Sequence, residues 1–127
     1  MRKYYFLLLG LFLFGGVQAQ IVNIPDANFK AKLISLGVDK SKNGEVEISE
    51  ALQVTYLRIS DSSISSLIGI SSFTNLQNLY CDINQLTSID VSNLTNLQSF
   101  DCSNNQLSSL NASGLTNLTY LTCENNQ

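Results

Sequence analysis

A phrase of 21 residues recurs in the second half of this chain, and it limits the available folds more than any other feature. Leucines at 76, 97 and 118 keep this spacing, and a cysteine and an asparagine follow each of them at fixed distances. A fixed period of this length marks a repeat architecture in which each unit is one supersecondary element. Such a unit cannot bury its apolar face alone, so neighbouring units must stack to form a core. The recurring residues are Leu76, Leu97 and Leu118; Cys81, Cys102 and Cys123; and Asn84, Asn105 and Asn126.

The repeat also extends one unit towards the N-terminus, with a step of 22 residues and with Ser62 in place of the asparagine. The units span 54–75, 76–96 and 97–117, and a shortened unit begins at 118. Each reads L-x-x-L-x-C-x-x-N-x-L or a variant of it, with apolar and polar residues alternating at its start as in a strand with one buried face. The phrase breaks off at Gln127, so we expect further coils, a C-terminal cap and a surface-sorting segment beyond it.

This unit resembles the leucine-rich repeat, with cysteine at a position where leucine is commoner, and the resemblance covers residues 54–127. The chain is similar in this respect to internalin-like bacterial proteins. The resemblance implies an α/β fold: a leucine-rich repeat solenoid with a parallel β-sheet on its concave face and a small helical N-terminal cap. We expect the repeated asparagines to form a ladder that satisfies backbone groups where each strand turns into a loop.

The three cysteines are predicted to be buried free thiols that act as small apolar side chains. Residues stacked in register on neighbouring strands are ~4.8 Å apart, which is longer than the ~3.8 Å between Cβ atoms in a relaxed disulfide. A metal site is the alternative, but the chain has no histidine and no C-x-x-C spacing. Buried thiols are therefore the favoured interpretation.

The N-terminus has the features of a secretory signal peptide over residues 1–19. Arg2 and Lys3 precede the uncharged run Tyr4–Val17, and Val17 and Ala19 are the small residues of a cleavage site before Gln20. A membrane-spanning helix needs about 20 apolar residues, and this run has 14. We therefore expect a secreted or cell-surface protein whose mature chain has no membrane-spanning segment.

The charge distribution excludes nucleic acid and anionic membranes as partners. Seven basic residues face ten acidic ones, and Arg58 is the last base in the chain. A nucleic-acid partner requires a basic stripe that displaces counterions from phosphate, and the repeat region beyond Arg58 has no base at all.

Residues 20–53 are predicted to form the N-terminal cap. Within them, residues 24–37 have the start and stop signals of a short helix, with Asp26 as N-cap and Gly37 at the C-terminal end. Phe29, Leu33 and Leu36, together with Ile34, are predicted to form its apolar face, which would cover the first coil of the solenoid.

The segment 39–50, DKSKNGEVEISE, matches the register of the twelve-residue EF-hand calcium loop. Such a loop places oxygen ligands at alternate positions around a glycine bend, here Gly44. The alternative is a polar turn whose side chains bond their own backbone, which Lys40 and Lys42 favour because they reduce the negative charge. We expect any bound calcium to be weak and structural. Its ligands would be Asp39, Ser41, Asn43, Glu45, Glu47 and Glu50.

The chain has no histidine and no G-x-S-x-G motif, and the predicted burial of the cysteines makes them poor nucleophiles, so we do not expect an enzyme. What remains is the concave sheet, whose tyrosines and polar residues suit the binding of a protein or a surface glycan; a merely solvated face is the alternative. Two other functions stay open: a calcium-assisted structural scaffold or adhesin, and the targeting module of a larger surface enzyme. The outward residues are Tyr56, Arg58, Asn78, Tyr80, Asp82, Ser99, Asp101, Tyr120, Thr122 and Glu124.

Overall fold

A computed structural model describes residues 18–127 of the chain. The predicted signal peptide therefore lies outside the described residues, apart from its last two positions. Two helices come first, and four short strands follow at the repeat spacing. The elements are α1 (Ala27–Ser35), α2 (Ile48–Ala51), β1 (Tyr56–Arg58), a 3-10 helix (Ile70–Ser72), β2 (Asn78–Tyr80), β3 (Ser99–Asp101) and β4 (Tyr120–Thr122).

The four strands form one parallel sheet in the order β1-β2-β3-β4. Leu57 pairs with Leu79, Leu79 with Phe100, and Phe100 with Leu121. This register is the one that the repeat spacing predicts, including the 22-residue step between the first two units. The predicted α/β solenoid with a parallel sheet is confirmed.

The core lies behind the sheet and runs the length of the solenoid. The middle residue of β1, β2 and β3 is buried, while the residues on either side of it face outwards. Phe73, Leu94 and Leu86 fill the rest of the core from the loops that return between strands, and all three are fully buried. The return segments are mostly irregular, with one 3-10 helix among them, so the core is built from recurring loop side chains rather than from a helical layer.

The repeated asparagines form the predicted ladder. The Asn105 side chain donates to the carbonyls of Cys81 and Cys102, and its Oδ1 accepts from the Leu86 N–H at 3.0 Å. Asn84 makes the equivalent bonds one coil earlier, and Asn126 one coil later. Each side chain therefore ties its own coil to the preceding one and satisfies buried backbone groups that would otherwise be orphaned.

The cap helix begins where the sequence predicts, because the Asp26 carboxylate accepts from the Phe29 N–H at 2.9 Å. Phe29 and Leu33 are fully buried. The prediction for Leu36 is wrong, since this side chain is 48% exposed. The helix ends at Ser35, and Leu36 is its C-cap, so the helical periodicity no longer applies to this side chain.

The three cysteines stack in register, but they are not equally buried. Cys81 and Cys102 are buried free thiols, as predicted, whereas Cys123 is exposed. The prediction for Cys123 is wrong within residues 18–127, because its coil is the last described one and no described coil covers its thiol. Burial and the neighbouring Cys102 thiol raise the pKa of Cys81 well above its ordinary value of 9.0. Burial also raises the pKa of Cys102 to about 11.

Candidate functional site

The sheet register arranges the outward side chains of the concave face in two rows. Successive strands contribute one residue to each row, because their Cα partners are in register. Ten outward residues were predicted from the sequence, and all of them are at least partly exposed. The first row is Tyr56, Asn78, Ser99 and Tyr120, and the second is Arg58, Tyr80, Asp101 and Thr122.

Three of these side chains gather at the N-terminal end of the sheet, and we call them the aromatic cluster: Tyr56, Arg58 and Tyr80. The Tyr56 and Tyr80 ring centroids lie 5.6 Å apart with the planes tilted by 46°. The guanidinium carbon of Arg58 lies 5.7 Å from the centre of the Tyr80 ring, within the range of a cation–π contact. Tyr56 is 55% exposed, so the cluster offers a large apolar surface to the solvent.

Two acidic residues that were predicted to face outwards on the concave face form hydrogen bonds with neighbouring serines. Asp82 accepts a short hydrogen bond from the Ser60 hydroxyl of the neighbouring coil. Asp101 accepts from both the N–H and the hydroxyl of Ser103. These carboxylates order the turns after β2 and β3, whereas the side chains of the aromatic cluster contact one another and make no hydrogen bond to the other described residues.

Tyr120 stands apart from the aromatic cluster at the other end of the first row. It lies on β4, the last described strand, and is 54% exposed. Thr122 is half-buried and Glu124 is exposed on the same coil. The structure therefore brings together three of the ten predicted residues and leaves Tyr120 two strands away from them.

The segment 39–50 folds as a compact turn around the carboxylate of Asp39. Its oxygens accept from the N–H groups of Asn43 at 3.2 Å and Gly44 at 2.9 Å. Burial acts to raise the pKa of Asp39, but these bonds outweigh it and hold the pKa below 3.8, its ordinary value. Gly44 has a φ of 82°, a left-handed conformation that suits glycine.

Glu50, at the last position of this turn, bonds back to its start. Its carboxylate accepts from the N–H groups of Ser41 and Glu47, and the bond from Glu47 is the main reason that the pKa of Glu50 is lowered. Asp39 and Glu50 thus both bond to Ser41. Glu47 accepts a hydrogen bond from the Asn43 side chain, while Glu45 forms an ion pair with Lys30 of the cap helix.

Within residues 18–127, no three carboxylate, thiol or imidazole side chains gather at a spacing that suits a metal ion. Hydrogen bonds from the turn's own backbone occupy the oxygens of Asp39 and Glu50. Calcium binding by this segment stays a prediction.

The sequence reasoning missed a cleft of about 380 Å³ beside β1, between this strand and the end of the cap helix. Leu36, Val38, Lys40 and Glu50 line one side, and residues 53–58 line the other. One signal could have found it: β1 belongs to the first repeat unit, so no earlier coil is available to pair with its outer edge.

The repeat region matches the family model described as leucine rich repeats in two copies, over residues 95–127. The functional domain of InlJ from Listeria monocytogenes, described as including a cysteine ladder, is similar in sequence and in structure. It is 34% identical with a TM-score of 0.77, and the match covers 87% of this chain and 25% of that one. The chain is an internalin-like leucine-rich repeat protein.

A second internalin supports this assignment, and a third shares the fold. InlF from Listeria monocytogenes is 26% identical to the internalin-like chain with a TM-score of 0.71, over 88% of this chain and 35% of that one. Internalin C2 from the same species, 19% identical over 87% of this chain and 70% of that one, shares the fold with a TM-score of 0.53. The internalin-like chain thus spans about a quarter of the InlJ domain and about a third of InlF. Comparison with proteins of curated function finds no match.

The described part of the internalin-like chain, residues 18–127, contains no helix with the length and apolar character needed to cross a membrane.

Proposed function

We propose that this chain is an exported binding module that recognises a protein through its concave sheet, with the aromatic cluster as the centre of the contact. The observation that carries the proposal is the exposed Tyr56 ring beside Tyr80 and Arg58. Tyrosine and arginine are the residues that most often dominate the binding energy of protein interfaces. The internalin-like leucine-rich repeat fold supports a protein as the partner.

The geometry of the aromatic cluster favours binding over a merely structural role. Leu57, between Tyr56 and Arg58, is buried and holds β1 to the core, so the outward side chains are not needed for packing. A tyrosine ring loses little conformational entropy on binding and combines apolar area with a polar tip. The contact with Arg58 orders the Tyr80 ring in advance, which reduces the entropy cost of binding.

A glycan is the alternative ligand for the same face, because aromatic rings with neighbouring polar groups also suit sugars. Two observations favour a protein: the Tyr56 and Tyr80 planes are tilted by 46° rather than forming one flat platform, and Arg58 sits on the Tyr80 ring. Export rests on the predicted signal peptide. A catalytic role is disfavoured by the absence of histidine from the sequence and by the raised thiol pKa values of Cys81 and Cys102.

The test is capture of extracellular proteins by the immobilised full-length protein, followed by affinity measurement with each captured partner. We expect Tyr56→Ala or Tyr80→Ala to weaken binding by tenfold or more, because loss of a central interface tyrosine costs about 2 kcal/mol. Ile68→Ala is the matched control, since Ile68 is equally exposed but lies outside the concave sheet. Unchanged affinity in both tyrosine variants would reject this face as the binding surface.

A calcium-assisted scaffold is a second candidate function. It is supported by the turn at 39–50, where Asp39 and Glu50 bond to the same residue, Ser41, beside the Gly44 bend. An ion there would link the cap helix to the first coil and would stiffen the start of the solenoid.

A further inference from the structure

The outer edge of β1 has backbone groups that bond to no other described residue. The Thr55 carbonyl accepts from the Asn78 N–H, and the Ile59 N–H donates to the Tyr80 carbonyl. Alternate residues of a strand direct their backbone groups to opposite sides, so Tyr56 and Arg58 direct theirs away from β2. No hydrogen bond joins these N–H and carbonyl groups to another residue in 18–127.

The cleft beside β1 is placed to hold an additional strand against these groups. Residues 53–58 form one wall and the end of the cap helix forms the other. An exposed strand edge with unpaired N–H and carbonyl groups is a template for another extended chain. Peptides bind to such edges by main-chain hydrogen bonds, and flanking pockets then select their side chains.

The charges at the cleft indicate which peptide fits. Lys40 is exposed on the cap wall, and Arg58 lies at the end of the strand. Glu50 is the acid that lines the cleft, and its carboxylate is already engaged by the N–H groups of Ser41 and Glu47. Glu50 keeps its negative charge, but the two bases Lys40 and Arg58 outnumber it, so the net charge of the lining is positive and complements carboxylates on an incoming peptide.

The apolar residues that line the cleft indicate that the peptide also carries apolar side chains. Leu36 is 48% exposed at the cleft, next to the buried Val38. An extended peptide presents alternate side chains to opposite sides, so one set can contact Leu36 while the other reaches towards Lys40. A second copy of this chain is a poorer occupant, because it would bring its own Lys40 and Arg58 to the same junction.

We propose that this cleft binds an extended acidic peptide, which joins the sheet as a fifth strand beside β1. The site shares the Arg58 charge with the aromatic cluster, but its hydrogen bonds come from the backbone of Tyr56 and Arg58 and it does not use the tyrosine rings.

The experiment measures binding of a fluorescein-labelled peptide of about seven residues that alternates valine with glutamate. Two matched peptides are the controls: one has lysine in place of glutamate, and one has the acidic sequence with every backbone nitrogen methylated. We expect the acidic peptide to bind and both controls to bind at least tenfold more weakly. Hydrogen exchange followed by NMR should show that the acidic peptide protects the N–H groups of Tyr56 and Arg58.

Protein variants separate the backbone contact from the side chains. Tyr56→Pro removes the outward N–H together with the ring, whereas Tyr56→Ala removes the ring alone, so only the proline variant should lose the peptide. Lys40→Glu should also lose it, while Lys42→Glu, an exposed position in the same turn but outside the cleft, should retain it. Thermal unfolding checks that each variant is folded, and the methylated peptide keeps the test valid if the proline variant is not.

The proposal is overturned if the acidic peptide does not bind, if the methylated peptide binds equally well, or if the two N–H groups gain no protection. It is also overturned if the free protein forms a dimer that protects these groups, since a second copy would then be the occupant. Loss of protein capture in Tyr56→Ala with retention of the peptide would show that the two binding sites are separate.

Discussion

The carboxylate of Asp26 bonds to the backbone of Ser65, 39 residues further along the chain, at 2.9 Å. The same oxygen accepts from the Ser66 N–H at 3.0 Å, while the other oxygen caps the cap helix through Phe29. One side chain therefore begins the helix and fastens it to the first coil of the solenoid.

We expect Asp26→Ala to lower the free energy of unfolding by about 2 kcal/mol, because a helix cap and charge-assisted bonds to two further N–H groups are lost together. Urea denaturation followed by circular dichroism measures this change. Asp26→Asn is the matched control and should cost less, since an amide still caps a helix but offers one acceptor oxygen. Equal stability of the alanine variant and the wild type would contradict this role.

Stability should fall with acidification, and Asp26 should contribute to the fall. Partial burial acts to raise the pKa of Asp26, but the N–H groups of Phe29, Ser65 and Ser66 outweigh it and hold the pKa below the ordinary 3.8. The unfolded chain then binds the proton more readily than the folded one, so the stabilisation is complete above about pH 4 and is lost as the pH falls through the folded pKa. Unfolding curves between about pH 7 and pH 2 should show a smaller decline in Asp26→Asn; an identical decline would contradict the assignment.

Asn105→Ala should destabilise the solenoid by about 3 kcal/mol, because several buried backbone groups of two coils lose their partner at once. Asn105 bonds to the carbonyls of Cys81 and Cys102 and to the Leu86 N–H. Asn93→Ala is the control, since Asn93 is exposed and should change the stability little. Denaturant unfolding measures both changes. A similar loss of unfolding free energy in the two variants would contradict a stabilising role for the asparagine ladder.

Thiol labelling should distinguish the cysteines in the native protein. Cys123 is exposed, whereas Cys81 and Cys102 are buried, and burial raises the pKa of Cys102 to about 11. In the 127-residue chain, a disulfide reagent at about pH 8 should therefore label one thiol per folded molecule quickly and all three after unfolding. Cys123→Ser should remove the fast reaction. Rapid labelling of all three thiols in the native state would contradict the burial.

Calcium should raise the melting temperature if the turn at 39–50 binds it. With a dissociation constant of ~10⁻⁴–10⁻³ M, about 10 mM calcium would stabilise the fold by ~1.4–2.7 kcal/mol through linkage. Asp39→Asn should abolish the effect, and magnesium at the same concentration is the ionic control. A melting temperature that does not respond to calcium would leave the segment as a polar turn.

The cap helix shows which of its residues could be predicted from the local sequence and which could not. The capping residue Asp26 and the buried positions Phe29 and Leu33 follow from side-chain chemistry and helical periodicity. Leu36 follows the same periodicity but is exposed, because the helix stops one residue before it. The burial of a residue at a helix end depends on the path of the next segment, and helical periodicity does not predict that path.

The repeat determined the strand register, the buried middle positions of β1, β2 and β3 and the asparagine ladder, because identical units can bury their apolar faces only by stacking in step. The parallel direction of the sheet came from the resemblance to leucine-rich repeats. The tertiary structure decided what depends on neighbours in space. It paired Arg58 with the Tyr80 ring, joined Asp26 to Ser65, left Cys123 exposed on the last described coil and left the outer edge of β1 open beside the cap. The two contacts join residues that are far apart in the sequence. The two exposed features depend on whether a neighbouring coil covers them within the described residues. Neither kind of relationship can be deduced from one repeat unit.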